Sequence, residues 1–135
     1  MFTKPNKIIA LGGLLIAISI ILGAFAAHAL KNKFMATDQQ LATFKTGVDY
    51  QLYHGFALIL LGLINKVFAI NVKYITIMFV MGVICFSWSL FGISITGIFK
   101  IDATILGPIT PIGGGFFIVG WGLFISSIFK NKLTT

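Results

Sequence analysis

The chain has 135 residues, of which 58% are hydrophobic and only 10% are charged. Soluble domains carry about 25% charged residues, so the composition excludes an ordinary soluble domain and indicates one integral membrane domain over residues 1–135. The net charge of +7 comes from lysines at the ends of apolar runs, without a basic stripe or interleaved aromatic residues. This pattern indicates membrane orientation and argues against nucleic-acid binding. The single cysteine, Cys85, excludes an internal disulfide and a multi-cysteine metal site.

Four apolar segments are long enough to cross a bilayer, since a core of roughly 30 Å needs about 20 helical residues. We predict spans at about residues 8–30, 50–70, 74–98 and 111–129, separated by breaks that contain Lys, Asn, Asp, Pro or Gly. The first span, with lysines before it and small residues near its end, also resembles a signal peptide. It is long for that role, so we expect it to remain on the mature chain.

The lysines are distributed unequally between the two sides of these spans. Those near both termini and in the second loop have no acid among them: Lys4, Lys7, Lys66, Lys73, Lys130 and Lys132. The lysines of the other connections are offset by all three aspartates. The positive-inside rule therefore predicts that both termini are cytoplasmic. The Lys-rich, Arg-free composition indicates a bacterium, and hence its plasma (inner) membrane.

The first external loop carries a helix signal. Thr37 followed by Gln40 fits a capping box, in which the two side chains satisfy free backbone N–H groups. Apolar residues then recur at helical spacing: Leu41, Phe44, Val48 and Leu52. We predict a short amphipathic helix over residues 38–49 on the outer surface, which runs into the second span with a bend at Gly47.

Polar residues at the start of the second span share one helix face. Tyr50, Gln51 and His54 lie there together with small or apolar residues: Gly47, Leu58 and Gly62. Such polar groups cost several kcal/mol in hydrocarbon unless they are satisfied. This stripe is therefore predicted to face protein, while Asp49 lies off the stripe, where Lys45 is a candidate partner.

The other spans carry stripes of small residues, which let membrane helices pack closely. In the first span the stripe is Ala10, Ala17 and Ala24, extended by His28; in the fourth it is Gly113, Gly120 and Ser127, with Gly115 and Gly122 as a second pair. The third span has one small face with Gly82, Cys85, Ser89, Gly92 and Thr96, and another with Thr76, Ser87 and Ser94. We predict an all-α four-helix bundle, a further contact with another subunit, and a core position for Trp88.

The polar residues of all four spans are predicted to converge on the outer half of the bundle. The predicted cluster consists of His28, Tyr50, Gln51, His54, Ser87, Ser89, Thr110, Gly113 and Gly114. Thr110 precedes Pro111, a proline suited to the first position of a helix. The start of that helix, rich in glycine, could attract an anion. Because the inner half is almost purely apolar, one outward-facing polar site is expected and a through-going pore is not.

Five spaced motifs carry a resemblance to a known family: GAFAAHAL (23–30), YQLYHG (50–55), FSWSLF (86–91), GPITPIGG (107–114) and GW (120–121). In these motifs the chain resembles domain-of-unknown-function family 423, small four-helix membrane proteins whose animal members are called transmembrane protein 256. The resemblance covers nearly the whole chain in order. The chain departs from the family pattern at Ala26, where a glycine is usual, and at Phe91, where a tyrosine hydroxyl is lost. The resemblance implies an intact first span and no established activity.

Two functions remain open for the cluster. Its side chains either hydrogen-bond to neighbouring helices and fix the bundle, or enclose a pocket that binds or transports a lipid, an anion or a small molecule, with a proton-linked step through histidine. An enzyme is disfavoured, since two histidines and a loop aspartate are few metal ligands and Ser89 with His54 and Asp49 lacks a nucleophile motif. We predict a non-enzymatic protein with no cofactor or metal, whose partners are membrane lipids and further copies of the chain.

Overall fold

The computed structural model describes residues 3–68 and 70–132, the last two of these by their backbone alone. It contains four helical segments that are long and apolar enough to cross a membrane: Pro5–Lys33, Asp38–Phe68, Lys73–Ile98 and Thr104–Lys130. The prediction of an all-helical protein with four candidate spans is therefore confirmed. Most of these segments extend past the predicted apolar runs, because lysine and glutamine also favour helix and can continue it out of the apolar layer.

The first half of the chain forms two long helices. Helix α1 covers Pro5–Phe25 and begins with a proline, whose missing N–H is not needed in the first turn. It continues as a π-helical stretch, Ala26–Lys33, which we call the first π segment. Helix α2 covers Asp38–Phe68. Stretches of π-helix are rare and frequently occur at functional sites. The residues around the first π segment are therefore candidates for a functional site.

The second half of the chain forms one interrupted and one continuous helix. The third span consists of α3 (Lys73–Gly82), a second π segment (Val83–Ser87) and α4 (Trp88–Ile98). A short 3-10 turn precedes helix α5, which covers Ile109–Lys132. Both π segments belong to spans that pack against α2.

The start of α2 confirms one prediction and corrects another. The Thr37 backbone N–H donates to Gln40 Oε1 at 2.9 Å, and the Gln40 N–H donates to Thr37 Oγ1 at 3.2 Å, which is the predicted capping box. The predicted helix over residues 38–49 is present and runs into the second span, but the helix is not interrupted at Gly47 and the segment is not confined to the surface, because α2 continues to Phe68. Phe44 is 1% exposed and packs on the Phe91 ring, so apolar packing draws this segment into the bundle.

The helices are arranged in chain order, with α2 and the third span in the centre. α1 packs on α2, α2 on the second π segment and α4, and α5 on α3 and the second π segment. The apolar stretches of α2 and the third span have 39% and 44% of their residues buried, against 22% and 17% for the first and fourth spans. The outer helices therefore expose most of their surface, as expected for contact with lipid.

Close backbone contact joins α1 to α2. A Cβ atom on Gly12 would lie 2.6 Å from the Gly55 carbonyl oxygen, so only glycine fits there. The predicted packing stripe of α1 is wrong, since Ala10, Ala17 and Ala24 are all exposed. The face that packs is centred on the glycine contact, because close approach depends on how two helix surfaces match and not on small residues in one helix alone.

The third span contacts protein on two sides, as its two small faces predict. Toward α2, the Ser94 hydroxyl donates to the Gln40 carbonyl oxygen at 2.8 Å. Toward α5, a Cβ on Gly113 would overlap the backbone of Phe86 in the second π segment, and the Phe79 ring lies 2.7 Å from where a Cβ on Gly120 would be. The predicted α5 stripe is therefore confirmed at Gly113 and Gly120. The second predicted pair, Gly115 and Gly122, faces open space instead.

The loop before α5 is held by a local turn. Asp102 accepts hydrogen bonds from the Thr104 hydroxyl at 2.5 Å and from the Thr104 backbone N–H at 3.0 Å. The side-chain donor first, and then the backbone donor, stabilises the carboxylate and lowers the pKa of Asp102 below its usual value. This local turn lies directly before the 3-10 turn Thr104–Leu106.

Candidate functional site

Gln51 is the centre of the polar contacts, and its side chain is fully buried. Its Nε2 donates to the Leu15 carbonyl oxygen at 3.3 Å and to Ser19 Oγ at 3.1 Å, while Ser19 itself donates to the Leu15 carbonyl at 2.8 Å. Its Oε1 accepts a hydrogen bond of 3.2 Å from Trp88 Nε1. One amide on α2 therefore joins α1 to the third span.

Two members of this network were not predicted from the sequence. Ser19 was not assigned to any predicted stripe, yet it is 1% exposed. Trp88 was predicted as a core residue, but it is 57% exposed. Its indole N–H donates a hydrogen bond to Gln51. An indole has an apolar body and one donor. The signal in the sequence was a glutamine in the second span and a tryptophan in the third, because a buried indole N–H usually has an acceptor.

The network lies half-way along the bundle and not at one end. Ser19 is near the middle of Pro5–Lys33, and Gln51 is near the middle of Asp38–Phe68. The prediction placed all polar residues in one half because it started the second span at Tyr50. The true helix begins three turns earlier, at Asp38, so the same residues lie deeper along it.

A second polar contact joins the third span to α5. The hydroxyl oxygens of Ser89 and Thr110 lie 2.7 Å apart, and Ser89 Oγ also donates to the Phe86 carbonyl oxygen at 2.9 Å. Gly113, one turn further along α5, allows the close backbone approach described above, and Gly114 lies beside the Phe86 ring. The structure therefore brings together four of the predicted residues, as a helix-to-helix contact.

His54 lies one turn beyond Gln51 and has one ring nitrogen without a partner. Its Nδ1 lies 2.9 Å from the Tyr50 carbonyl oxygen, and because a carbonyl only accepts, Nδ1 carries the proton in this contact. In the neutral ring Nε2 is then an acceptor; it is buried, and no donor within the described residues reaches it. The ring stacks on Phe117 with centroids 3.6 Å apart, and Phe79 meets it edge-on at 5.2 Å.

Ser87 is the other predicted residue that lacks a partner. Its hydroxyl oxygen is buried and has no hydrogen bond within the described residues. A helical serine usually donates to the carbonyl four residues back, as Ser19 does. Ser87 ends the second π segment, where the backbone register differs from that of an α-helix.

The two remaining predicted residues lie at the edge of the site or outside it. Tyr50 is 38% exposed, and its ring packs on Phe86 with centroids 4.5 Å apart. His28 is exposed on the first π segment, and none of the described hydrogen bonds or ring contacts joins it to the other predicted residues. The face of α2 predicted from Gly47, Gln51 and His54 is confirmed as buried.

The charged residues and possible metal ligands form one ion pair and no metal cluster in the described part of the chain. Asp49 pairs with Lys45 at 2.8 Å, as the sequence suggested, on an exposed part of α2. No group of three or more His, Cys, Asp or Glu residues that could hold a metal ion occurs among the described residues. The polar contacts above can orient helices and, at His54, accept a hydrogen bond.

The fold and these contacts define a class, the small helical membrane proteins whose spans are joined by buried polar side chains. The chain matches a family model described as Protein of unknown function (DUF423) over residues 22–114, and it belongs to this family. The resemblance inferred from the five motifs is thus confirmed. The matched region contains four of those motifs and all nine residues of the predicted cluster.

The chain is also similar to membrane proteins of staphylococci. It is 42% identical over 122 residues to a UPF0382 membrane protein of Staphylococcus haemolyticus, covering 90% of this chain and 94% of the relative. It is 38% identical over 122 residues to a UPF0382 membrane protein of Staphylococcus saprophyticus, covering 90% and 96%. No solved structure matches the chain significantly. The protein is therefore a membrane protein of a family of unknown function that has bacterial members.

Proposed function

We propose that this is a non-enzymatic, multi-pass protein of the bacterial plasma membrane, whose buried polar side chains hold its helices in one packing arrangement. The observation that carries the proposal is the Gln51 amide, which bonds to α1 through Ser19 and to the third span through Trp88. Polar groups in hydrocarbon are stable only when they are satisfied. A fully bonded amide at the centre of the bundle is what a packing role requires.

Orientation and partners form part of the same proposal. The lysines that lack neighbouring acids, at both ends and in the second loop, support cytoplasmic termini. The staphylococcal relatives support the plasma membrane, since these relatives are named membrane proteins. Membrane lipids are the proposed partners, together with another copy of the chain on the exposed glycines of α5, and nucleic acid is not one.

The direct test replaces the central amide. Gln51→Leu keeps a similar volume and removes three hydrogen bonds. Interhelical hydrogen bonds in membranes contribute about 0.6 kcal/mol each, and at most about 1.7 kcal/mol, so we expect a loss of about 2 kcal/mol in the free energy of unfolding in detergent. Gln39→Leu, at an exposed position of α2, is the matched control and leaves stability unchanged. Equal stability of the two variants would contradict the packing role.

The unpartnered Nε2 of His54 favours a second candidate, a binding site with a proton-linked step. The chain has two histidines, so a His28→Gln variant leaves His54 as the only imidazole. Nitrogen-15 NMR of this variant, labelled at the ring, then follows His54 across about pH 5 to 8, the range in which histidine titrates. Reversible protonation in the folded bundle supports the binding site, and one tautomer throughout supports the packing role.

A further inference from the structure

A groove lies between the first π segment and the beginning of α2. It has a volume of about 380 Å³ and is lined mainly by small or apolar residues, with charged residues among them: Gly23, Ala26, Ala27, Lys31, Leu41, Lys45, Val48 and Asp49. Sites that hold small molecules usually have volumes of about 300–1,000 Å³, apolar walls and a few placed polar groups. None of the lining residues belongs to the polar contacts around Gln51 and Ser89.

The groove exists because small residues of α1 and the first π segment face α2 without filling the space. A Cβ on Gly23 would meet only the Val48 side chain, at an ordinary 3.8 Å. Ala27 is exposed, and Leu41 is half-buried. The two helices diverge at this level, whereas they are in tight backbone contact at Gly12. An apolar chain can therefore lie along the opening between them.

The charged residues of the groove carry one net positive charge. Lys45 and Asp49 form an ion pair of 2.8 Å, which is the one ion pair found among the side chains of residues 3–68 and 70–130. Lys31, Lys45 and Asp49 are the charged residues of the lining, and their two positive charges and one negative charge sum to +1. The rim therefore matches a group with a single negative charge, and the aspartate disfavours a group with more than one.

These charges lie where the apolar run of α1 ends. Leu30 is the last apolar residue before Lys31, and Lys45 and Asp49 precede the apolar part of α2. Lysines at such positions lie at the level of lipid headgroups. Basic pockets between membrane helices bind anionic headgroups. The groove thus combines apolar walls on the membrane side with a cationic rim on the headgroup side.

We propose that this groove binds an anionic phospholipid, with one acyl chain against Gly23, Ala26 and Ala27 and the phosphate at Lys31 and Lys45. A phosphodiester carries the single negative charge that the rim matches. The site is separate from the polar contacts, so it stands whether or not those contacts have a packing role. A failure of lipid binding and a failure of the packing role are also distinguishable, because the first is read from bound lipid and the second from unfolding.

The test measures lipid retained by the full-length protein. Purified protein is exchanged into a mild detergent with equal amounts of phosphatidylglycerol and phosphatidylcholine, and native mass spectrometry counts bound lipid of each kind. We expect one retained phosphatidylglycerol and no comparable phosphatidylcholine. Lys31→Gln should reduce the apparent affinity for phosphatidylglycerol about fivefold, the factor expected for one lysine near an anionic headgroup. Ala27→Trp, which fills the groove, should abolish retention.

Matched controls lie on the same helix. Lys33→Gln removes a neighbouring lysine that does not line the groove, and Ala17→Trp adds a large ring at an exposed position outside it. Both should retain lipid as the wild type does. Ala27→Leu replaces Ala27→Trp if the larger side chain prevents folding, which circular dichroism checks. Equal retention of the two lipids, equal effects of Lys31→Gln and Lys33→Gln, or unchanged retention in the filled groove would overturn the proposal.

Discussion

Helix α2 packs on α1 and on the third span, and aromatic rings of α5 also reach it. Its buried polar residues have different surroundings on the α1 side and on the side where the α5 rings lie. Toward α1, Gly12 and Gly55 bring the backbones together, and the Gln51 amide bonds to a backbone carbonyl and to Ser19. Toward α5, aromatic rings fill the space, and His54 Nε2 has no donor within the described residues. Ring packing separates helices and supplies few donors. In α2, therefore, the buried amide beside the glycine contact is satisfied, and the buried imidazole among the rings keeps one nitrogen without a donor.

The largest effect is expected from breaking the glycine contact. Gly12→Ala places a Cβ 2.6 Å from the Gly55 carbonyl oxygen, a backbone atom that cannot rotate away. Overpacking of this kind costs about 1–3 kcal/mol. The neighbouring Gly13 has nothing within 4 Å of its Cβ position, so Gly13→Ala is the control. Thermal unfolding in detergent should separate the two, and a Gly12→Ala variant as stable as Gly13→Ala would show that α1 is not held by this contact.

A smaller effect is expected from removing one hydrogen bond of the Gln51 amide. Ser19→Ala removes the contact with Gln51 and also the bond of Ser19 to the Leu15 carbonyl. We expect a loss of about 0.6 kcal/mol in the free energy of unfolding, the average for such bonds in membranes. Ser126→Ala is the control, because the exposed Ser126 bonds only to a carbonyl of its own helix.

Chemical denaturation of Ser19→Ala and its control should resolve this difference. If Ser126→Ala loses as much stability as Ser19→Ala, the effect belongs to the bond within the helix. The interhelical bond would then contribute nothing, and the contrast between the two sides of α2 would weaken.

The smallest effect is expected on the aromatic side of α2. His54→Phe retains a flat ring against Phe117 and removes the buried acceptor that has no partner, together with the local bond from Nδ1 to the Tyr50 carbonyl of the same helix. Replacing such a group by an apolar one of similar shape is nearly neutral or stabilising. The melting temperature in detergent should therefore change little, in contrast to Gln51→Leu. A loss as large as that of Gly12→Ala would mean that Nε2 binds a molecule that stabilises the fold.

Much of the fold was predictable because its signals are local. Helix length and apolar content gave the four spans, and the Thr37–Gln40 spacing gave the cap of α2. The buried face of α2 followed from the period of an α-helix, since Gln51 and His54 share it. Each of these features depends on residues within one helix, so one sequence segment was enough to predict it.

The errors arose where two helices had to be matched. The alanine stripe of α1 is exposed and the Gly12 face is buried, because the choice between them depends on the surface of α2. The predicted cluster was wrong for the same reason. His28 is exposed and does not join it, whereas Ser19, which was not predicted, hydrogen-bonds to Gln51. The two π segments also have no simple sequence signal, and they change which residues face inward after Phe25 and after Gly82.

By itself the sequence determined that this is a membrane protein with four helices, which family it belongs to, and which side of α2 is buried. These follow from apolar content, motif spacing and the geometry of one helix. Only the tertiary structure decided that Gln51 is satisfied and His54 is not, and that a groove opens beside Lys31. Those outcomes depend on the distance between neighbouring backbones, which is set by pairs of helices packing together and is not encoded in any one of them.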